Sequence, residues 1–176
     1  MKFQFVDMTK EYAGEMIKNW KYDGLYRVYD YANEEQELLC VENWGFSKFA
    51  VLDEKAVLVG ELTIELFREE DENAADDGYI DRAAYAKAPD GVYEMWVGFG
   101  LRPDLTGKGL GAGFIAACIK FATSRFSYNG EFIRLAVADF NKRAIRTYQS
   151  IGFEVFDTFE NAEKKQTILW MKKPIA

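Results

Sequence analysis

Between residues 101 and 113 the chain passes from an extended segment into a helix through Thr106-Gly107-Lys108-Gly109-Leu110-Gly111-Ala112, and this turn restricts the fold more than any other feature. Upstream, Tyr93–Leu101 is rich in aromatic and apolar residues and reads as a strand. Downstream, Phe114, Ile115, Cys118, Ile119 and Ala122 recur at helical spacing and give one apolar face. Three residues without Cβ therefore sit where a helix exposes its first, unpartnered amides. A phosphate or pyrophosphate can approach such a place closely, because the N–H groups and the helix dipole both favour negative charge. A tight turn that merely lets helix and strand pack closely would use the same glycines.

Two phosphate-binding patterns fail on these residues. A Walker A loop needs Gly at position 102 and Ser or Thr after Gly107-Lys108, and Arg102 and Gly109 stand there. Gly107, Gly109 and Ala112 satisfy the spacing of the dinucleotide fingerprint, but that fold needs several more strand-helix units than the remaining sequence provides.

The rest of the chain reads as mixed α/β. Residues 2–6 form a strand, and Thr9 caps an amphipathic helix over EYAGEMIKNW. A second helix is expected over residues 34–43. Phe49–Leu52 and Val57–Phe67 form a hairpin through Asp53-Glu54-Lys55. Later come a strand at Phe132–Ala138, a helix at Asn141–Ser150, and strands at Phe153–Thr158 and Gln166–Met171. Residues 69–91 form an acidic connection, too long for an ordinary structureless loop, with a short helix expected around Asp81–Ala86.

Composition narrows the function classes. At 176 residues and 49% hydrophobic content, one compact domain is expected, with no need of disulfide staples or a structural metal. Twenty-two basic against 29 acidic residues leave a net charge of −7, which disfavours nucleic acid and anionic membranes and suits a cationic partner. With no histidine, the chain cannot use an imidazole base, a Ser-His-Asp or Cys-His pair, or a histidine-bound zinc; Cys40 and Cys118 are too few for a thiolate metal site. No stretch is apolar enough to cross a membrane and the start does not read as a signal peptide, so a cytoplasmic protein is expected.

The glycine turn also resembles the acetyl-CoA signature of the GNAT superfamily of N-acetyltransferases: Gln or Arg, two residues, Gly, one residue, then Gly or Ala. Here it reads Thr106-Gly107-Lys108-Gly109-Leu110-Gly111, with Thr in place of Gln or Arg, and Gly100-Leu101-Arg102-Pro103 is similar to the strand end that precedes it in the family. A second signature follows about 30 residues later: Asn141 through Tyr148 to Gly152-Phe153 resembles the family's Asn, Ala, Tyr and Gly-Phe pattern. The resemblance implies a single-domain α/β (α+β) fold, a GNAT-like central mixed twisted sheet flanked by helices. Within it, residues 1–68 would form the acceptor side, 69–91 the acidic connection and 92–159 the acetyl-CoA-binding core.

The implied activity is transfer of an acetyl group from acetyl-CoA, the cosubstrate, to a primary amine without a metal. Phe99, Leu101, Thr106, Gly107, Lys108, Gly109, Leu110, Gly111, Ala112, Asn141 and Tyr148 would bind the cofactor. Tyr148 would protonate the leaving thiolate and the Leu101 N–H would polarise the thioester carbonyl. Glu94 is the nearest carboxylate on the central strand and the candidate base, although strand alternation sets it on the other face from Leu101. Read without the family, Asn141 suits a helix N-cap and Tyr148 a half-buried core aromatic. A further resemblance to ribosomal-protein N-terminal acetyltransferases favours a protein or peptide N-terminus as acceptor; a small amine is the alternative, and a non-catalytic acyl-CoA-binding regulatory module the reading from another class. A homodimer is compatible with the sequence. Trp20, Tyr22, Tyr26, Tyr29, Tyr31 and Trp44 either serve the acceptor side or simply pack a core.

Overall fold

Alternation of apolar residues builds most of the strands, and strand pairing sets where everything else lies. The computed structural model describes residues 1–68 and 93–175. Seven strands, β1 (Gln4–Asp7), β2 (Lys48–Leu52), β3 (Leu58–Arg68), β4 (Tyr93–Leu101), β5 (Phe132–Ala138), β6 (Glu154–Asn161) and β7 (Gln166–Pro174), form one sheet in the order β1-β2-β3-β4-β5-β7-β6. The pair β4–β5 is parallel, whereas β1–β2, β2–β3, β5–β7 and β6–β7 are antiparallel, so the single-domain α+β sheet is mixed as expected. The β2–β3 hairpin closes where expected: Asp53 Oδ1 accepts from the N–H groups of Lys55 at 2.8 Å and Val57 at 2.9 Å.

Helix α1 (Lys10–Asn19) starts at Thr9, whose hydroxyl accepts from the Tyr12 N–H at 3.2 Å. The helix expected over 34–43 is instead a four-residue turn of helix, α2 (Glu35–Leu38), followed by a 3-10 turn at Val41–Asn43. The physical reason is the lack of an apolar stripe: Leu38 is buried, but Leu39 and Val41 are 37% and 64% exposed. A short helix with one buried side chain and no side-chain cap has little to hold further turns. Helices α3 (Gly111–Arg125) and α4 (Lys142–Ser150) match expectation. Strand β6 runs further than expected because its ladder with β7 continues to Asn161↔Gln166, and β7 runs on to Pro174 because it pairs with β5 as far as Phe132↔Pro174. The short helix expected around Asp81–Ala86 lies outside the described residues.

The chain gathers into two compact units, Met1–Thr63 with Phe99–Phe121, and Ile64–Gly98 with Ala122–Ala176; β3 and β4 run through both. In the first unit, Trp20, Tyr31, Leu38, Ala50 and Leu52 form a core with Met8, Ala13, Met16 and Leu58. Most of the weight of the aromatic run in residues 20–44 is thus structural. Toward α3, Phe5 stacks on Phe121 at 4.5 Å and Phe49 meets the same ring edge-on at 5.0 Å. Gly60 makes room for α3, since a Cβ there would lie 2.6 Å from the Phe114 ring.

In the second unit alternation is seen in Met95 and Val97 of β4 and in Ile133, Leu135 and Val137 of β5. Met95, Val97, Ile133, Leu135, Val137 and Met171 are buried on one face, as are Ile145 of α4 and Phe153. Tyr128 joins the starts of β4 and β5: its Oη accepts from the Met95 N–H at 3.2 Å and lies 3.0 Å and 2.8 Å from the carbonyls of Tyr93 and Phe132. One side chain thereby satisfies several backbone groups at the sheet's end. Tyr128→Phe should cost about 1–3 kcal/mol, the penalty for stranding half-buried polar groups. Urea unfolding measures this, and an unchanged midpoint and slope would contradict the assigned role.

Candidate active site

The glycine turn is built from backbone rather than side chains. Gly107 and Gly109 take φ of 71° and 76°, the left-handed region that disfavours a Cβ, so these two glycines are required by conformation. Thr106 turns inward, its hydroxyl donating to the Pro103 carbonyl at 2.7 Å. Arg102 braces the approach: its guanidinium donates to Leu58 O at 2.9 Å and to both carboxylate oxygens of Asp104. The hydrogen bonds from Arg102 hold the Asp104 carboxyl below its usual range.

How α3 begins distinguishes it from the other long helices. Thr9 and Asn141 cap α1 and α4 with side-chain oxygens. The first α3 bond runs from the Phe114 N–H to the carbonyl of Leu110, so Leu110 occupies the N-cap position, with no side-chain oxygen to offer. Helix geometry leaves the amides of Gly111, Ala112 and Gly113 without an i−4 carbonyl inside the helix, and an apolar cap cannot supply the acceptor. An anion can. The donor set is therefore of a kind that could hold a pyrophosphate by backbone, and Lys108 in the same turn is exposed.

The end of β4 in the first unit has a defined orientation. The Arg102 N–H donates to Val59 O at 2.8 Å, so alternation along the strand turns the Phe99 and Leu101 amides toward the opposite edge. On that edge the Tyr22 hydroxyl donates to the Leu101 carbonyl at 2.8 Å. Gly100 is present for clearance: a Cβ would lie 1.7 Å from the Tyr31 hydroxyl. The Gly98-Phe99-Gly100 run thus serves, at Gly100, a close approach of Tyr31.

Behind Tyr31 lies a buried polar network that the sequence did not reveal. The pairs Ala50↔Glu61 and Lys48↔Thr63 put Lys48, Glu61 and Thr63 on one face. Tyr31 Oη donates to Glu61 Oε2 at 3.1 Å, Lys48 Nζ lies 3.8 Å from Glu61 Oε1 and donates to Thr63 Oγ1 at 2.9 Å, and the Thr63 hydroxyl donates to Glu61. Glu61 and Lys48 are only 4% and 6% exposed, which a charged pair tolerates only when partnered in this way. Burial, reinforced by Glu61, pushes the Tyr31 phenol well above its usual value, so Tyr31 stays a donor. Burial alone would lower Lys48; the carboxylates of Glu61, Glu37 and Glu34 outweigh it and raise the ammonium. Nothing local in the sequence marks Lys48 and Glu61 as buried, because β3 also carries Thr63, Glu65 and Arg68.

In the second unit, the β4–β5 ladder among the described residues is limited to Met95↔Ile133 and Trp96↔Arg134, whereas β5 pairs with β7 along its whole length. Glu94 is occupied: one carboxylate oxygen accepts from Trp96 Nε1 at 3.1 Å and the other lies 3.6 Å from Arg134. Asn141 Oδ1 accepts from the Ala144 N–H at 3.2 Å, the capping role that its position suggested. Tyr148 is half-buried, its ring edge-on to Phe153 at 5.9 Å. The structure therefore gathers Phe99, Leu101 and residues 106–112 in the first unit and Glu94, Asn141 and Tyr148 in the second.

Among the described residues no cluster of His, Cys, Asp or Glu could hold a metal ion, and no helix is long and apolar enough to cross a membrane. Similar folds occur in an aminoglycoside N(6')acetyltransferase from Legionella pneumophila (18% identity, TM-score 0.66, 99% of this chain and 94% of that one). They occur also in a spermidine N-acetyltransferase SpeG chimera from Vibrio cholerae and hSSAT (16%, 0.65, 99% and 96%). A third is Arabidopsis thaliana NAA60, solved with acetyl-CoA (13%, 0.63, 99% of each chain). No curated protein matches the sequence. Residues 6–153 match the family described as Acetyltransferase (GNAT) family, a span that includes the uncapped α3 start, the β4 end and both sequence signatures. The chain belongs to the GNAT family and is an acetyl-CoA-dependent N-acetyltransferase.

Proposed function

We propose that the protein acetylates a primary amine by direct attack, with the backbone of β4 and of the α3 start holding acetyl-CoA and Tyr148 acting as the acid. The observation that carries this reading is the α3 N-terminus, where Leu110 leaves the first amides without a side-chain cap. Acetyl-CoA supplies the thioester: the amine nitrogen bonds to its carbonyl carbon as the carbon–sulfur bond breaks. The residues of this chain do the remainder. Leu101 presents its N–H on the edge turned away from β3, the position for an oxyanion donor. Tyr148 gives its phenolic proton to the departing sulfur, since a phenol with a reference pKa of about 10 matches a thiolate leaving group. Asn141 would contact the cofactor while its Oδ1 caps α4.

Glu94 carries no proton in this scheme, because Trp96 Nε1 and Arg134 occupy its oxygens. The ammonium proton leaves to solvent. That route suits an amine with a pKa near 8, such as an α-amine, better than one near 10.4. A protein or peptide N-terminus therefore remains the proposed acceptor. A small amine is the second reading, supported by the spermidine and aminoglycoside substrates named for two proteins of similar fold.

Gly109→Val should abolish acetyl-CoA binding in calorimetry, because a β-branched residue cannot hold φ of 76° and the amide array loses its shape. Undiminished affinity in a folded variant would remove the loop from the site. Tyr148→Phe should lower kcat by roughly 10²–10⁴ with little change in acetyl-CoA affinity, the pattern of a group acting in the transition state. A kcat unaltered where chemistry limits turnover would sink the acid assignment.

A further inference from the structure

The face of the second unit opposite its buried side carries an aromatic wall. Register places Phe132, Arg134 and Ala136 of β5, Trp170 and Lys172 of β7, and Trp96 of β4 on this face. Trp96, Trp170 and Phe156 form a triangle with centroid separations of 5.5, 6.3 and 6.2 Å. Phe67 closes on Trp96 from one side, and Phe159 stacks on Trp170 from the other. Phe156 and Phe159 remain 39% and 51% exposed.

Beside this wall the side chains become small. Gly98 follows Trp96 on the same face of β4, and Ala136 lies opposite Trp170. Ala136 is exposed although β5 is an inner strand of the sheet, so solvent reaches the sheet floor there. The hollow that these small residues leave begins where the β4–β5 ladder stops among the described residues, at Trp96↔Arg134, and in sequence Gly98 stands three residues before Leu101. Polar groups at its margin are engaged with one another: Glu94 with Arg134 and the Trp96 indole N–H, and Lys172 over the rings of Phe132 and Phe156 at 4.3 and 5.4 Å. Such a surface has ring faces to offer a substrate and few polar groups to read hydroxyls or additional ammonium groups.

Resting on the transferase reading, we infer that the hollow over Gly98 and Ala136 receives the body of the acceptor and selects amines attached to an apolar, aromatic or branched group. The source of that chemistry is a free arylalkylamine or a peptide whose first residue is aromatic, and the two are separable by assay. Ala136 and Trp170 are then specificity-determining: the small residue keeps the hollow open and the indole forms its wall.

The test measures thiol release from acetyl-CoA with phenethylamine, a short peptide beginning with Phe, glucosamine and spermidine, for the wild type and for Ala136→Leu and Trp170→Leu. The expected result is a kcat/KM for phenethylamine or for the Phe peptide at least tenfold above those for glucosamine and spermidine. Whichever of the two is higher identifies the source. Ala136→Leu, which fills the hollow without removing a core side chain, should raise the acceptor KM at least tenfold and leave the acetyl-CoA KM within twofold. A wild-type preference for spermidine or glucosamine, or an Ala136→Leu variant with unchanged acceptor KM, would overturn the inference while leaving the transferase intact. Absence of turnover with every amine despite tight acetyl-CoA binding would overturn both.

Discussion

Backbone hydrogen bonds that β4 stops making organise the molecule. A strand inside a sheet normally uses its amides on both edges, and among the described residues the β4 ladder with β5 is confined to Met95 and Trp96. Beyond those residues the Arg102 amide bonds the Val59 carbonyl on the β3 side, so alternation turns the Leu101 amide toward the other edge, where it can meet something else. In the proposed chemistry that something is the cofactor, bound as an added strand would be. The α3 start follows the same logic, since a helix whose N-cap is Leu110 lacks the side chain that would have closed its first amides. In the proposed chemistry both features withhold stabilisation from the free protein and offer it to the cofactor.

Such openness needs rigid surroundings. Arg102 ties the segment after β4 to Leu58 and Asp104, and Tyr22 fixes the Leu101 carbonyl from the opposite edge. Tyr31 presses on β4 at Gly100, held there by Glu61, which is itself held by Lys48 and Thr63. An apolar filling of that space would avoid the desolvation cost of two buried charges. What the polar network provides is direction, because a hydrogen-bonded phenol has one allowed position and a hydrocarbon has many.

Much of this was legible in the sequence because it depends on local rules. Strand alternation, the Thr9 and Asn141 caps and the glycine turn appear where periodicity and residue type place them. Residues 34–43 misled because charged and apolar residues mixed at helical spacing, while only Leu38 found burial. The second role of Gly100 was invisible because the group it accommodates, the Tyr31 hydroxyl, is distant in sequence. Lys48 and Glu61 were hidden for the same reason: each is an ordinary surface residue until the β2–β3 register puts both inside. Glu94, read as a candidate base from its place on the strand, acquires partners in Arg134 and Trp96 that only the β4–β5 register supplies.

The central claim is that the Leu101 amide is left for acetyl-CoA. Amide hydrogen exchange read residue by residue, in the free protein and with saturating acetyl-CoA, tests it most directly. The account predicts that Leu101 exchanges quickly when free and becomes protected by at least tenfold on binding, while Arg102, already bonded to Val59, is protected in both states. A Leu101 amide equally protected with and without acetyl-CoA would contradict it.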